Sequence, residues 1–235
     1  MNIVIVSQKP IQVIKLIYLL GSIDVFPSAV VIVKPSRNHI ARDLLDDYSA
    51  NTVSTLDFQC KVLNISLYKV DNVINSKTID LLKSLKIDLI LQVVLDVIVK
   101  NDFISTSKYG VISSHGGVLP KYRGSDCTKW CVLNNEKEVG VSTILLNTGV
   151  DTGDIISKGT VNIKKELPCT ISELEKKIYY RHKLFAYLNP VKQLINKGKI
   201  RSKKQKINEG CQYFSMHPKL EELVDLILKK RNKKK

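Results

Sequence analysis

Short apolar runs alternate with longer amphipathic segments over residues 1–165. The apolar runs are rich in Val and Ile and have the length of buried strands: MNIVIVS, AVVIVK, VLNISLYKV, KIDLILQVV and YGVISSH. The segments between them have the length and apolar spacing of helices: IQVIKLIYLLG, RNHIARDLLDDYSA and NSKTIDLLKSLK. Strands that alternate with helices predict an α/β, Rossmann-like fold, with a mostly parallel sheet and helices on both faces.

The pattern changes in the second half of the chain. SDCTKWCVLNN predicts a helix, but the next two strands, VGVSTILLN and DIISKGTVNI, have no helix between them, so this edge of the sheet should be mixed. Two further helices are predicted at TISELEKKIYYRHKLFAYLN and LEELVDLILKK. We therefore predict a Rossmann-like domain over 1–165, a helical extension over 166–228 and a disordered basic tail over 229–235.

Composition indicates a globular protein outside the membrane. Hydrophobic residues make up 44% and charged residues 25% of the chain. The most apolar stretch, IDLILQVVLDVIVK, is too short for a membrane span, and the N-terminus does not resemble a signal peptide. We expect a cytoplasmic location and no membrane partner. The five cysteines are scattered, which favours free thiols, and no metal site is predicted: Cys60, Cys127, Cys131, Cys169 and Cys211.

Positive charge is concentrated near the C-terminus. The net charge is +15, and residues 196–235 contain 13 Lys and Arg against 4 Asp and Glu. Such runs are either solvated surface or sites of attraction for polyanions. We favour solvated surface for the last seven residues.

The segment VISSHGGVLPKYRG contains a first candidate site. His115 stands at the carboxyl end of a predicted strand, where open α/β sheets bind ligands. Gly116 and Gly117 allow close backbone approach, and Arg123 has a planar guanidinium that suits carboxylate or phosphate. A histidine on such a loop is able to exchange a proton near neutral pH, although a lone histidine is more often structural.

The segment GVSTILLNTGVDTGDII contains the second candidate. Asp151 lies between Gly149 and Gly153 on a predicted turn, which suits a carboxylate presented from a shaped loop. Turn chemistry alone would also explain these residue types.

Taken together, HxGxLPxYRG and GVDTGDII resemble the folate-dependent formyltransferase family, most closely its sugar N-formyltransferases. The resemblance is specific over residues 109–156 and weaker over 1–108. It implies 10-formyltetrahydrofolate as co-substrate and a catalytic Asn-His-Asp trio. His115 and Asp151 match the last two members, and Ser113 stands where the family has asparagine. A serine hydroxyl offers one donor but is shorter than asparagine.

The resemblance also implies the binding surfaces. The pterin would contact the backbone of two strand-end loops: Gln92, Val93, Val94, Leu95, Leu146, Asn147, Thr148, Gly149 and Val150. The sequence QYFSMHP resembles a stretch of the sugar enzymes, in which Tyr213 and Phe214 either pack in the core or stack on a nucleotide base. The residues predicted to face the substrate are therefore Gly116, Gly117, Lys121, Tyr122, Arg123, Tyr213 and Phe214.

The resemblance leaves several substrates open. The first strand is not followed by a glycine-rich phosphate loop, which disfavours glycinamide ribonucleotide as substrate. The segment after residue 165 is too short for the additional barrel of methionyl-tRNA formyltransferases. We expect a dTDP-linked 3- or 4-amino-dideoxy sugar as partner, no nucleic acid, and a chain compatible with a homodimer. The alternatives are a tRNA- or other amine-acting formyltransferase and a catalytically silent folate- or nucleotide-binding homologue.

Overall fold

The computed structural model describes residues 1–35, 49–166, 168, 170–178, 182–206 and 208–233. The chain divides into two compact units. One consists of Met1–Ser113 with Leu146–Thr148, and the other of Ser114–Leu145 with Gly149–Lys235. This division does not coincide with the boundary predicted at residue 165.

The first unit contains parallel strands in the order β3-β2-β1-β4-β5. The strands are β1 (Ile3–Ser7), β2 (Ala29–Val33), β3 (Ser66–Val70), β4 (Leu89–Gln92) and β5 (Val111–His115). β1, β2 and β4 are buried along their whole length, as expected for parallel strands covered on both faces. β5 continues into the second unit at Ser114 and His115.

The described part of the first unit contains four helices: α1 (Pro10–Gly21), α2 (Ala50–Val62), α3 (Ser76–Ser84) and α4 (Asn101–Ile104). The side chains of Ser49 and Asn75 accept hydrogen bonds from the first turns of α2 and α3. The sequence did not predict α2, because its stretch is largely polar and its buried residues are few. The helix predicted at RNHIARDLLDDYSA falls mostly on residues 36–48, outside the described residues.

The second unit contains an antiparallel pair and a short parallel pair of strands. β7 (Glu138–Leu145) and β8 (Asp154–Asn162) form the predicted hairpin-like pair. β6 (Tyr122–Gly124) pairs with β9 (Cys211–Tyr213). The fold class is confirmed as α/β, with a mostly parallel, seven-stranded sheet that is mixed at β7 and β8.

The remaining helices correct two predictions. They are α5 (Cys127–Leu133), α6 (Ile163–Glu166), α7 (Ile171–Ile178), α8 (Leu188–Lys197) and α9 (Pro218–Lys233). The single long helix predicted over 170–189 is wrong, because a 3₁₀ turn at Phe185–Tyr187 precedes α8. The predicted extension is not purely helical either, because β9 lies within it. The sequence did not predict this strand, since Cys211 and Gln212 are exposed and give no alternating apolar pattern.

The predicted disordered tail is also wrong over residues 229–233, which form the end of α9. Val224 and Leu228 are buried on one side of this helix, next to α5. Arg231 then donates to the carbonyl of Val132, at 3.3 Å, and to Asn135 Oδ1, at 2.7 Å. A cation is favourable at the carboxyl end of a helix, and Arg231 occupies this position at the end of α5. Its hydrogen bonds there attach the last turn of α9 to α5. None of the described helices is long and apolar enough to cross a membrane.

Replacement of Arg231 tests this attachment. Arg231→Ala should lower the free energy of unfolding by about 1–3 kcal/mol, because charged hydrogen bonds to α5 are lost. The matched control is Lys230→Ala, which removes an equal charge from an exposed neighbour. Denaturant unfolding measures both variants, and equal stability of the two would contradict the proposed attachment.

Candidate active site

His115 is held between two acceptors in the second unit. It ends β5 and is 9% exposed. Its Nε2 lies 2.8 Å from the carbonyl oxygen of Tyr122, and its Nδ1 lies 3.3 Å from Oδ2 of Asp151. A carbonyl oxygen only accepts hydrogen bonds, so Nε2 carries a proton and donates it to Tyr122. Nδ1 is therefore the ring atom at which a proton is able to move, toward or away from Asp151.

Burial and charge act in opposite directions on this imidazole. Burial lowers the pKa of His115 below its ordinary value, while the negative charge of Asp151 and the hydrogen bond to Tyr122 oppose that shift. The positive charge of Lys183 adds to the lowering of the His115 pKa. The charged form of the ring thus depends on Asp151 for its stabilisation.

Asp151 is fixed in place by its own loop and by β6. Its backbone is left-handed, with φ of 51°, a conformation that aspartate adopts more readily than most residues. Its Oδ2 accepts the Gly124 N–H at 2.8 Å. The Gln205 side chain donates to the carbonyl oxygens of Asp151, at 2.8 Å, and Gly153, at 2.7 Å. Both the side chain and the backbone of Asp151 are therefore positioned by hydrogen bonds.

Two glycines leave room for the close contacts of His115 with Tyr122 and of β6 with β9. A Cβ on Gly117 would lie 2.5 Å from His115 Nε2 and 2.6 Å from the Tyr122 carbonyl oxygen. Gly124 has φ of +89°, and a Cβ there would collide with the carbonyl oxygen of Tyr213. Side chains at these positions would displace His115 and separate β6 from β9. Gly116, by contrast, has open space at its Cβ position.

Ser113 and Ser114 occupy opposite sides of β5. Ser113 is half-buried and pairs with Gln92 in the first unit. It is two residues before His115 in the strand, so these two side chains point to the same side of β5. Ser114 is buried, and its N–H donates to the hydroxyl of Tyr187 at 3.2 Å.

The predicted pterin-binding loops lie at strand ends. Within the first unit, Gln8 fixes the loop after β4. Its N–H donates to the Val94 carbonyl, and its Oε1 accepts the Asp96 N–H, each at 2.8 Å. Leu95 and Leu146 are half-buried and pack against the core of this unit. Asn147 and Thr148 follow Leu146 in the first unit, whereas Gly149 and Val150 belong to the second. Irregular backbone beside half-buried apolar side chains fits a flat heterocycle with polar edges.

Some of the residues predicted to face the substrate are buried, and others are exposed to solvent. Lys121 forms an ion pair with Glu136. The buried Tyr122 ring stacks on Tyr213, with centroids 5.0 Å apart. Arg123 is buried and donates to Gln205 and to the Lys206 carbonyl. Phe214 is 70% exposed, so its ring faces solvent, while Tyr213 contributes to packing.

Sequence reasoning did not identify three residues that support the candidate loops of the two units. Gln205 lies in a basic run and Gln8 follows β1, and neither position has a pattern that distinguishes it from surface. Cys127 Sγ lies 3.6 Å from His115 Nε2. Burial raises the pKa of the Cys127 thiol to about 12, so the thiol is protonated at neutral pH and packs as a small apolar group. Among the described residues, no His, Cys, Asp or Glu cluster is arranged to hold a metal ion.

The family model described as formyl transferase matches residues 3–186 of the chain. A methionyl-tRNA formyltransferase from Pelotomaculum thermopropionicum is 44% identical over 69 residues, which is 29% of this chain and 22% of the relative. One from Geotalea uraniireducens is 30% identical over 130 residues, or 54% of this chain and 39% of the relative. The chain thus spans less than half the length of these curated relatives.

Solved structures share the fold at low sequence identity. An N-formyltransferase from Helicobacter canadensis, in complex with folinic acid and dTDP-3-aminofucose, has a TM-score of 0.66 and 20% identity, and the match covers 97% of this chain and 80% of that one. A phosphoribosylglycinamide formyltransferase from Bacillus halodurans has a TM-score of 0.64 and 19% identity, with 84% and 97% covered. These matches show a shared fold.

Asp151→Asn tests the electrostatic coupling. Because the Asp151 charge opposes the lowering of the His115 pKa, its removal should lower that pKa further. Titration of the His115 ring by NMR measures the shift without any substrate. Asp154→Asn is the matched control, since it removes the same charge three residues away on β8. An unchanged or higher His115 pKa in Asp151→Asn would exclude the coupling.

Proposed function

This chain belongs to the formyl transferase family, and we propose that it transfers a formyl group from 10-formyltetrahydrofolate to the amine of a nucleotide-linked amino sugar. The observation that carries the proposal is the pair of buried His115 and half-buried Asp151, with Nδ1 and Oδ2 separated by 3.3 Å. Formyl transfer to an amine requires a group that stabilises negative charge on the formyl oxygen and a group that takes a proton from nitrogen. The pair supplies both.

The two residues have distinct roles in this proposal. Nε2 of His115 is engaged with Tyr122, so Nδ1 is its proton-exchanging atom. A protonated ring presents positive charge to the formyl oxygen, and Asp151 stabilises that charged form. Asp151 also accepts the proton that the amine loses, directly or through the ring, and this proton passes to N10 of the folate when the bond between N10 and the formyl carbon breaks. Loss of a group that stabilises the oxyanion costs enzymes roughly 10²–10³-fold in rate, which sets the expected weight of the His115 charge.

The co-substrate supplies the formyl group, and residues of two loops of the first unit would hold it. Leu95 and Leu146, which are half-buried against the core of this unit, would offer apolar contact to a heterocycle. Gln8 keeps the first of these loops in shape through its bonds to Val94 and Asp96. These contacts would bind and orient the donor without an ionisable side chain.

The nucleotide sugar as acceptor is supported by the C-terminal segment. Phe214 follows β9 directly, its ring is exposed, and its carbonyl oxygen accepts the Trp130 indole N–H at 2.8 Å. An exposed ring on a fixed backbone suits stacking against a base. The solved relative from Helicobacter canadensis, whose match covers 97% of this chain, holds a nucleotide-linked amino sugar.

A tRNA substrate is the rival acceptor. Its support is the curated matches to methionyl-tRNA formyltransferases and the positive charge of residues 196–235. A catalytically silent folate-binding protein is the second rival, because Ser113 replaces the asparagine of the family motif.

One assay separates the three. The protein is incubated with 10-formyltetrahydrofolate and, in parallel, with dTDP-linked 3-amino and 4-amino sugars and with methionyl-tRNA, and each acceptor is analysed by mass spectrometry for an added formyl group. A formylated sugar is expected. Formylation of tRNA alone would establish the first rival, and folate binding without turnover of any acceptor would establish the second.

The role of Ser113 is tested by two substitutions. Ser113→Ala should lower kcat by no more than about tenfold, because a shorter hydroxyl contributes less than a full oxyanion donor. Ser113→Asn should keep or raise kcat. Ser114→Ala is the matched control, since this neighbouring hydroxyl points to the other side of β5 and has no hydrogen-bond partner among the described residues. A thousandfold loss in Ser113→Ala would make the serine a principal catalytic group.

A further inference from the structure

Gln205 connects the two chain segments that form the catalytic pair. Its Nε2 donates to the carbonyl oxygens of Asp151 and Gly153, at 2.8 and 2.7 Å. Its Oε1 accepts from Nε and Nη2 of Arg123, at 3.3 and 3.2 Å. One side-chain amide thus bonds the turn that presents Asp151 on one side and the strand that follows the His115 loop on the other.

These bonds close a ring around Asp151. Gly124, next to Arg123, donates its N–H to Asp151 Oδ2 at 2.8 Å. The carboxylate of Asp151 is therefore bonded to β6 directly, and its carbonyl is bonded to β6 through Gln205 and Arg123. The left-handed backbone of Asp151, with φ of 51°, is held at both its carbonyl and its side chain. Loss of one member of such a ring leaves the turn free to relax.

Gln205 is itself placed by backbone pairing. Two residues before it, Lys203 exchanges both backbone hydrogen bonds with Ile155, each at 2.8 Å. The Lys206 carbonyl then accepts from Arg123 at 3.2 Å. Gln205 therefore has anchored backbone on both sides, which places its side-chain amide next to the Asp151 turn.

We propose that Gln205 is a positioning residue of the reaction, which holds the carboxylate of Asp151 against Nδ1 of His115. The expected effect on kcat rests on the proposed function, whereas the expected effect on the position of Asp151 does not. Gln205 touches no reacting atom in this assignment and acts through the carbonyl of Asp151. The geometry of the pair is thereby set by a residue 54 positions further along the chain than Asp151.

Gln205→Met removes the amide while keeping the length of the side chain. We expect kcat to fall about tenfold, because the Asp151 turn relaxes away from His115, with KM for the amino acceptor nearly unchanged. Gln205→Glu separates the two halves of the contact, since a carboxylate still accepts from Arg123 but cannot donate to the two carbonyls. It should therefore behave like Gln205→Met and not like the unchanged protein.

The matched control is Gln193→Met. Gln193 binds the other end of the same basic segment, where its Oε1 accepts the Arg201 N–H at 2.8 Å, and it does not contact Asp151. If Gln205 were only structural, both Met variants would lose thermal stability and neither would change kcat measured well below the melting temperature.

A second measurement does not depend on the proposed activity. Among the described residues, the groups with charge or titration around His115 are Asp151, Lys183 and the Cys127 thiol. If Asp151 moves away in Gln205→Met, the pKa of His115 should fall, as in Asp151→Asn, and NMR titration of the free protein detects this. An unchanged His115 pKa in Gln205→Met would overturn the positioning role. A lowered pKa without turnover of any acceptor would preserve it while refuting the proposed function.

Discussion

The second unit depends on a buried imidazole with an acceptor at each ring nitrogen. His115 donates to the Tyr122 carbonyl and faces the carboxylate of Asp151. A buried polar ring is stable only when its nitrogens are bonded, so Tyr122 and Asp151 must both be held at fixed distances. Gly117 and Gly124 leave the necessary room, and the pairing of β6 with β9 fixes the strand that contains the carbonyl. Most of the local chain path follows from this one requirement.

The same arrangement makes the pKa of His115 sensitive to the position of Asp151. Burial alone would leave His115 neutral, and a fully solvated Asp151 would stabilise its charge only weakly. With Asp151 next to a buried ring, the two effects oppose each other, and their balance depends on the distance from Nδ1 to Oδ2. A small movement of the Asp151 turn therefore alters the protonation of His115. Rigid support of that turn matters more here than it would at an exposed ion pair.

The sequence predicted the features that leave a periodic or punctuated pattern. Buried parallel strands appear as Val- and Ile-rich runs, and the positions of His115 and Asp151 follow from strand ends and glycine spacing. The helix Ala50–Val62 and the strand Cys211–Tyr213 were not predicted, because few of their residues are buried. Gln205 could not be found from local sequence, since its role arises from long-range pairing within a run that is otherwise basic. Arg231 was assigned to a disordered tail for the same reason: its partners are on α5.

Residues beyond the family match contact the candidate site. The family match ends at residue 186, yet Gln205, β9 and Phe214 lie beyond it. The part within the match contains His115 and Asp151, to which the proposed function assigns proton exchange, whereas the later part supports Asp151 through Gln205 and presents an exposed ring at Phe214. Because β9 pairs with β6, changes in the later part reach the carbonyl that binds His115. Under the proposed function, proton transfer and acceptor recognition would thus be physically linked, because the later part contacts both Asp151 and Gly124.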